Sequence, residues 1–391
     1  MENPAAVTLS KRAKMLLAIH GVFLTGVSLS NIFFNVYLWK VNGNIKLAAA
    51  YNFYHFLTVP IVFILGSLLV KNLGSLGNIR LGLIVHSFFY LLVLILGQEV
   101  GEWYIFLGIL MGIGQGFYYL GYNVSTYDWT DNHNRNIYSG LNGALGAMAN
   151  LAPLAGGVMI GLLGTFWGYK AVFAITLLCF ILAAVISFNI HVVGSEKTAK
   201  YSAAVKRIGK DWLRVSGSMI LRGLREGVMS FALILLIYEF TSSEINLGLF
   251  NLITGLFTMI FYFIVGKTIN QNRRYSSMLW GAVLLSVTSI VLLRQDIIGI
   301  WLFGIANSIL FPFVFVPMTT ISYNIIRNNV VTRDYRIEFL SLREVPLNLG
   351  RLIGIGLLVL FINENWSVLW LLWGLGLSQI PIAVVLKPLK L

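Results

Sequence analysis

The sequence predicts an all-α membrane protein with twelve transmembrane helices in two six-helix pseudo-repeats, and three observations carry that prediction. Of 391 residues, 58% are hydrophobic and only 11% are charged, whereas a soluble domain is about half apolar and about a quarter charged. The mean hydropathy of +0.81 leaves too little polar surface for a water-soluble globule; in lipid that shortage disappears, because the outside is allowed to be as apolar as the core. The second observation is a series of apolar runs of about the 20 residues that a helix needs to span a bilayer. The third is an internal offset of about 200 residues at which residue types recur.

Taken in order, the runs place helix 1 over 15–39, helix 2 over 47–70, helix 3 over 79–97, helix 4 over 103–125, helix 5 over 138–163 and helix 6 over 168–190. The second set is helix 7 over 216–240, helix 8 over 245–266, helix 9 over 276–293, helix 10 over 297–326, helix 11 over 339–362 and helix 12 over 366–386. Lys11, Arg12 and Lys14 precede a first apolar run too long for a cleavable signal peptide.

The loops set the expected orientation. With the N-terminus inside, 20 Lys and Arg residues fall in inner loops and tails and only Lys40, Lys46, Lys170 and Arg294 fall outside. Positive charge accumulates on the cytoplasmic side of membrane proteins, so both termini are expected in the cytoplasm. This asymmetry also accounts for the net charge of +13 without nucleic acid, since the basic residues are dispersed over short loops and suit anionic lipid. The longest polar stretch, 191–215, holds Lys197, Lys200, Lys206, Arg207, Lys210 and Arg214. It is expected as a basic linker, with a surface helix around 206–214, between bundles of residues 1–190 and 216–391. The single cysteine, Cys179, lies in an apolar run and excludes a disulfide framework.

The two halves match at nearly constant spacing. Gly26-Val27 corresponds to Gly227-Val228, Tyr37 to Tyr238, Gly66 to Gly266, Tyr122-Asn123 to Tyr323-Asn324, and Arg135 to Arg336. A six-plus-six parallel repeat is a transporter plan with the substrate site between the halves near the midplane.

Local motifs agree. Gly66-Ser67-Leu68-Leu69-Val70-Lys71 follows helix 2, and Gly266-Lys267-Thr268-Ile269-Asn270 with Arg273-Arg274 follows helix 8. Helix 5 carries Ala152-Pro153-Leu154-Ala155-Gly156-Gly157, and helix 6 opens with Trp167-Gly168-Tyr169-Lys170 ahead of Phe173. On these residues and on its topology the chain resembles the major facilitator superfamily of secondary transporters, bacterial type, with no subfamily assigned. The resemblance implies a cavity lined by helices 1, 4, 7 and 10. In the loop after helix 2 the family's acidic residue is replaced by Val70. Helix 4 carries Gln115-Gly116, but the arginine that many proton antiporters of the family place ahead of this pair is Gly112 here.

Charged residues inside a bilayer are costly, by about 2.5–3.5 kcal/mol for Arg, Lys or Asp at a helix centre, so they face the bundle interior and pair. On helix 7, Arg222, Arg225 and Glu226 stand at i, i+3 and i+4 and share a face, with Glu226 about 15 Å in. On helix 11, Glu344, Asn348 and Arg351 share a face, and Arg343 adjoins Glu344. Expected pairs are Glu226 with Arg351, and Glu344 with Arg222 or Arg225. Four arginines (Arg222, Arg225, Arg343, Arg351) against three glutamates (Glu226, Glu338, Glu344) leave 4 − 3 = +1, which favours an anionic or zwitterionic solute; an amphipathic one stays open.

The first half offers uncharged polar faces: Ser28, Asn31 and Asn35 on helix 1, Tyr51, His55 and Thr58 on helix 2, and Gln115, Tyr118, Tyr119 and Tyr122 on helix 4. His20 and His86 are expected as packing residues. Pro312, Pro317 and Pro346 permit bends in helices 10 and 11. The expected cavity residues are therefore Asn31, Asn35, Gln115, Tyr119, Arg222, Arg225, Glu226 and Arg351, with Glu226, Glu344 and Arg343 as coupling or gate residues.

The sequence contains no P-loop, no metal-ligand spacing and no nucleophile–base–acid order, so the expectation is neither an ATP-driven pump nor an enzyme, and no cofactor or metal. The functional expectation is a monomeric secondary transporter that moves a small molecule by alternating access, with the proton as candidate coupling ion and membrane lipid as its surroundings. The alternative is a lipid or lipid-linked flippase or scramblase with the same fold.

Overall fold

The computed structural model describes residues 9–43, 45–130, 134–190, 199–269, 271–328, 335–363, 368–387 and 389. These residues form twelve crossings. α1, Lys11–Asn42, starts at Ser10, whose hydroxyl accepts from the Ala13 amide at 3.2 Å, and stops at Gly43, left-handed at φ 62°, whose N–H returns to the Trp39 carbonyl. α2, Ile45–Val70, is followed by α3, Asn72–Gly101, and the chain reverses near the start of α3 at Gly74, φ 67°, a backbone value that L side chains rarely adopt. α4 is Tyr104–Trp129. α5 comprises Arg135–Ala149 and the limb from Ala152 to a second reversal at Gly164, φ 74°, beyond which α6 runs to Phe188.

In the second half, α7 is Lys210–Met229 continued by Ala232–Thr241, and α8 is Glu244–Thr268. α9 is Gln271–Arg294 with 3-10 ends, α10 is Ile297–Asn328, α11 is Arg336–Leu342 with Glu344–Asn363, and α12 is Val368–Leu386. An even number of crossings puts both chain ends on one side, the terminal end; the opposite side is the far end.

Ten described segments qualify as membrane spans by length and hydropathy alone. The segment 137–188 holds two crossings because Gly164 folds it back. α7 does not qualify because Arg222, Arg225 and Glu226 interrupt its apolar run. The periphery is apolar throughout, as at Leu162, 81% exposed, and Phe263, 70% exposed; such surface is unfavourable in water and matched to lipid.

Three details differ from the sequence expectation. The helix between the halves is Tyr201–Val205, and Lys210 already begins α7, so the anticipated surface helix over 206–214 does not form as one piece. α7 breaks at Ser230–Phe231 with no proline present. α11 has a one-residue interruption at Arg343, three residues before Pro346, whereas α10 runs through Pro312 and Pro317. Residues 191–198 of the expected linker, with Lys197, lie outside the described residues, as do Asn270, Arg333, Trp366 at the start of helix 12, and Lys390. The side chains of Lys71, Arg135 and Arg327 also lie outside them.

Glycine sets the closest helix contacts. Gly223 and Gly227 of α7 face Gly350 and Gly354 of α11, and a Cβ on Gly223 or Gly350 would collide with the backbone carbonyl of Leu347 or Ile220. Small residues four apart let two backbones touch. This contact brings the polar faces of α7 and α11 together at mid-helix.

The halves are joined unevenly. At the far end, Gly157 of α5 and Gly248 of α8 sit against the partner helix's backbone. Lys40 of α1 meets Glu244 of α8 at 2.6 Å there, and Tyr169 donates to the same oxygen at 3.1 Å. At the terminal end Asp128 of α4 pairs with Arg336 of α11 at 3.0 Å. The linker helix bridges nearby: Tyr201 hydrogen-bonds Ser67 of α2 at 2.6 Å, and the Lys200 amide donates to Glu338 of α11 at 2.6 Å. On the opposite flank α5 and α8 diverge towards the terminal end. They leave a side groove of about 900 Å³ bordered by Gly143, Asn150, Thr258 and Tyr262, with no charged residue in its lining.

Candidate functional site

A cavity of about 390 Å³ lies at mid-depth where the halves face each other. Its first-half wall includes Asn31 of α1, Asn52 and His55 of α2, and Gln115 and Tyr119 of α4. Its second-half wall includes Arg225, Glu226 and Ser230 of α7, Asn307 and Phe311 of α10, and Arg351 of α11. Helices α1, α4, α7 and α10 all contribute, joined by α2, α3, α6 and α11.

Glu226 is the only carboxylate in that lining. Its Oε1 accepts from Arg222 Nε at 2.5 Å, one turn earlier on α7, and its Oε2 accepts from Arg351 Nη2 at 3.1 Å. Arg351 also donates to Asn348 at 3.1 Å and lies 4.7 Å over the Phe56 ring of α2. The expected pairing of Glu226 with Arg351 is present. Arg222 borders the cavity through Glu226, and its guanidinium stacks 4.3 Å over Phe315.

Arg225 is 3% exposed, yet it is among the residues that line the cavity. It donates to the Asn307 amide oxygen and lies 5.5 Å over Phe311. Its Nε is buried with no hydrogen-bond partner among the described residues.

The first-half wall is neutral. His55 and Gln115 share a hydrogen bond across α2 and α4. Asn52 donates to Asn35 at 2.7 Å, and Asn35 donates to the Asn31 carbonyl at 3.0 Å. Asn35 is therefore behind the wall, 1% exposed, and orients Asn52; Asn31, Gln115 and Tyr119 reach the cavity.

Arg343 and Glu344 are apart from the cavity. They pair with each other at 3.4 Å, and Arg343 lies 5.0 Å over Tyr323. The expected pairing of Glu344 with Arg222 or Arg225 does not occur. Arg351 lies seven helical positions after Glu344, about 10 Å of axial rise, so Glu344 belongs to the terminal end. His20, expected as packing, is buried and hydrogen-bonds Tyr118 at 2.9 Å; His86 is buried against the Gly82 carbonyl at 2.7 Å, but its ring borders the cavity. Sequence reasoning missed Asn307 and Phe311; their only signal was an amide inside the apolar run of α10.

A family model described as Major Facilitator Superfamily matches residues 16–217, just over half of the chain. The chain belongs to the major facilitator superfamily. A Bacillus subtilis strain 168 protein, uncharacterised protein YqgE, is 31% identical over 353 residues, 89% of this chain and 82% of that one. An uncharacterised Geobacillus stearothermophilus protein from the sodM 3′ region is 37% identical over 160 residues, covering 41% of this chain and 75% of that one. The fold matches solved transporters at low identity. A bacterial homologue of the iron transporter ferroportin in the outward-facing state gives a TM-score of 0.68 at 13% identity, over 97% of this chain and 100% of that one. A D-xylose–proton symporter gives 0.70 at 13%, over 95% and 96%, and the E. coli fucose–proton symporter gives 0.67 at 11%, over 96% and 97%.

In this superfamily member, Gly112 stands one turn ahead of Gln115-Gly116 on α4. A Cβ there would sit 2.6 Å from both the His55 carbonyl oxygen and Thr58 Cβ of α2. An arginine has no room; α2 and α4 pack backbone to backbone instead, and that contact presents His55 and Gln115 to the cavity.

Proposed function

We propose that this chain is a secondary active transporter that carries a small solute across a bacterial cytoplasmic membrane by alternating access, with Glu226 as the protonation site of its cycle. The observation that supports this reading is Glu226 held between Arg222 and Arg351 in a mid-depth cavity between the halves. The rocking bodies are bundle 1–190 and bundle 216–391, joined by the linker 191–215, with the terminal end in the cytoplasm. The transporter works as a monomer.

Protonating Glu226 cancels its attraction for both guanidiniums. Arg351 then exchanges that contact for others, and because it also touches Phe56 of α2 the change reaches the opposite bundle. The Arg343–Glu344 pair belongs to the cytoplasmic gate in this reading, and the Lys40–Glu244 pair closes the outer side. Arg222, Arg225 and Arg351 against Glu226 give 3 − 1 = +2 around the cavity, which suits an anionic or zwitterionic solute. The lipid-carrier alternative is not favoured: the side groove has no charged group to receive a head group, and Tyr262, Phe315 and Arg222 stack between it and Glu226.

The test uses proteoliposomes loaded with a pH-sensitive dye and challenged with panels of small organic acids, amino acids and neutral sugars. Wild type moves protons with at least one compound, and Glu226→Gln abolishes the proton movement while counterflow exchange of that compound persists. Undiminished proton-coupled uphill uptake by Glu226→Gln rules out the assigned role.

A further inference from the structure

We infer that Arg225 and Asn307 form an anion-binding subsite separate from the Glu226 triad, and that the solute is a small hydroxylated organic anion spanning the cavity from this subsite to Gln115 and Asn31. The inference rests on the transporter reading above and names the solute class that its cavity takes.

The two arginines of α7 near mid-depth are not equivalent. Arg222 and Arg351 already have a carboxylate, because Glu226 serves both. Arg225, the immediate neighbour of Glu226, points instead towards α10, where its partner is the neutral Asn307 amide. No ion pair to Arg225 is present among the described residues, and its Nε has no acceptor. A guanidinium removed from water without a counter-ion is costly. A planar guanidinium that borders a cavity and has no carboxylate of its own is matched by the two oxygens of a carboxylate or by a phosphoryl group.

The opposite wall describes the rest of the solute. Asn31, Asn52, His55 and Gln115 present amide and imidazole groups and no formal carboxylate or arginine. Such groups recognise hydroxyl or amide substituents by paired hydrogen bonds. At about 390 Å³ the cavity lies at the lower end of the range for small-molecule sites, about 300–1,000 Å³. That excludes a long acyl chain and leaves room for a polar body with one acidic head.

The experiment is thermal denaturation of the purified full-length protein with matched pairs: gluconate against glucitol, glucuronate against glucose, and glycerol 3-phosphate against glycerol. At least one acid raises the melting temperature of wild type, and its neutral partner does not; the pair that responds tells carboxylate from phosphoryl recognition. Arg225→Gln weakens the apparent affinity for that acid about tenfold or more, the effect of one lost charged hydrogen bond. Arg225→Lys recovers part of it. Asn307→Ala, which keeps the arginine, weakens it to a smaller degree and guards against a folding defect. The readout is equilibrium binding without a pH gradient, so failure of the proton reading leaves this one standing. The inference is overturned if no acid shifts wild type, or if acid and neutral partners act alike. An acid response unchanged in both Arg225→Gln and Asn307→Ala overturns it too. A neutral compound that stabilises wild type and Arg225→Gln equally retains a solute-binding cavity and removes the anion.

Discussion

Glu226 Oε2 on α7 lies 3.1 Å from Arg351 Nη2 on α11, across a contact that glycine alone makes short enough. The two residues are 125 apart in sequence, and their side chains are 20% and 16% exposed. The pair is partly desolvated, so each charge depends on the other more than a surface pair does.

Glu226 and Arg351 are therefore expected to be coupled in stability as well as in transport. Glu226→Gln and Arg351→Gln should each lower the thermal midpoint, and the double variant should lose less than the sum. The coupling energy is expected at about 0.5–3 kcal/mol, the range for residues in direct contact. Strict additivity in the double-mutant cycle would mean that the contact contributes nothing.

Replacing Gly223 tests the α7–α11 contact. Gly223→Ala places a methyl group against the Leu347 carbonyl, and overpacking of this kind costs about 1–3 kcal/mol; Gly223→Leu should prevent accumulation of monodisperse protein. Gly356, also on α11, has open space where a methyl group would go, with no neighbouring atom within 4 Å. Gly356→Ala should therefore be neutral or slightly stabilising, since alanine is the better helix former. Equal effects at both positions would remove the packing explanation.

The far-end closure depends on Lys40, Tyr169 and Glu244, with Lys40 also 5.3 Å over the Tyr169 ring and 5.0 Å over Tyr238. Glu244→Gln removes the charge that holds α1 and α6 to α8. A cysteine at Ser230, which lines the cavity, should then react faster with an impermeant maleimide applied from the far side, in a Cys179→Ser background. An unchanged rate means that the helix packing of Gly157 and Gly248 alone closes this end.

Orientation is tested with a single cysteine at Ser202 on the linker helix, again without Cys179. It should react with impermeant reagent only when the cytoplasmic face is opened. Lys170, at the α5–α6 turn where its ammonium lies 4.2 Å over the Phe166 ring, marks the other side, and a cysteine there should react in intact cells. The reverse pattern would invert the assignment of the terminal end.

Much of the fold was legible because a bilayer imposes it residue by residue. An apolar run of fixed length is needed for each crossing, and that requirement is local. The charged face of α7 was legible for the same reason, since Arg222, Arg225 and Glu226 stand out against an apolar background. Glu344 was assigned to the wrong partner because helical periodicity reports the face and not the depth; its neighbour Arg343 meets it at 3.4 Å instead. Asn307 carried no pattern at all, and its importance comes only from lying opposite Arg225.

By itself, the sequence determined the class of solvent, the number of crossings and the costly charges that must find partners, because transfer into lipid acts on each residue separately. Tertiary structure alone decided which partners those are. It placed Glu226 between Arg222 and Arg351 and left Arg225 facing an amide. It made Gly112 a packing necessity against α2, and opened a groove between α5 and α8 while the halves met at the far end. These outcomes depend on how closely two backbones approach and at what depth two helices cross, and those distances arise from shape complementarity between segments far apart in the chain.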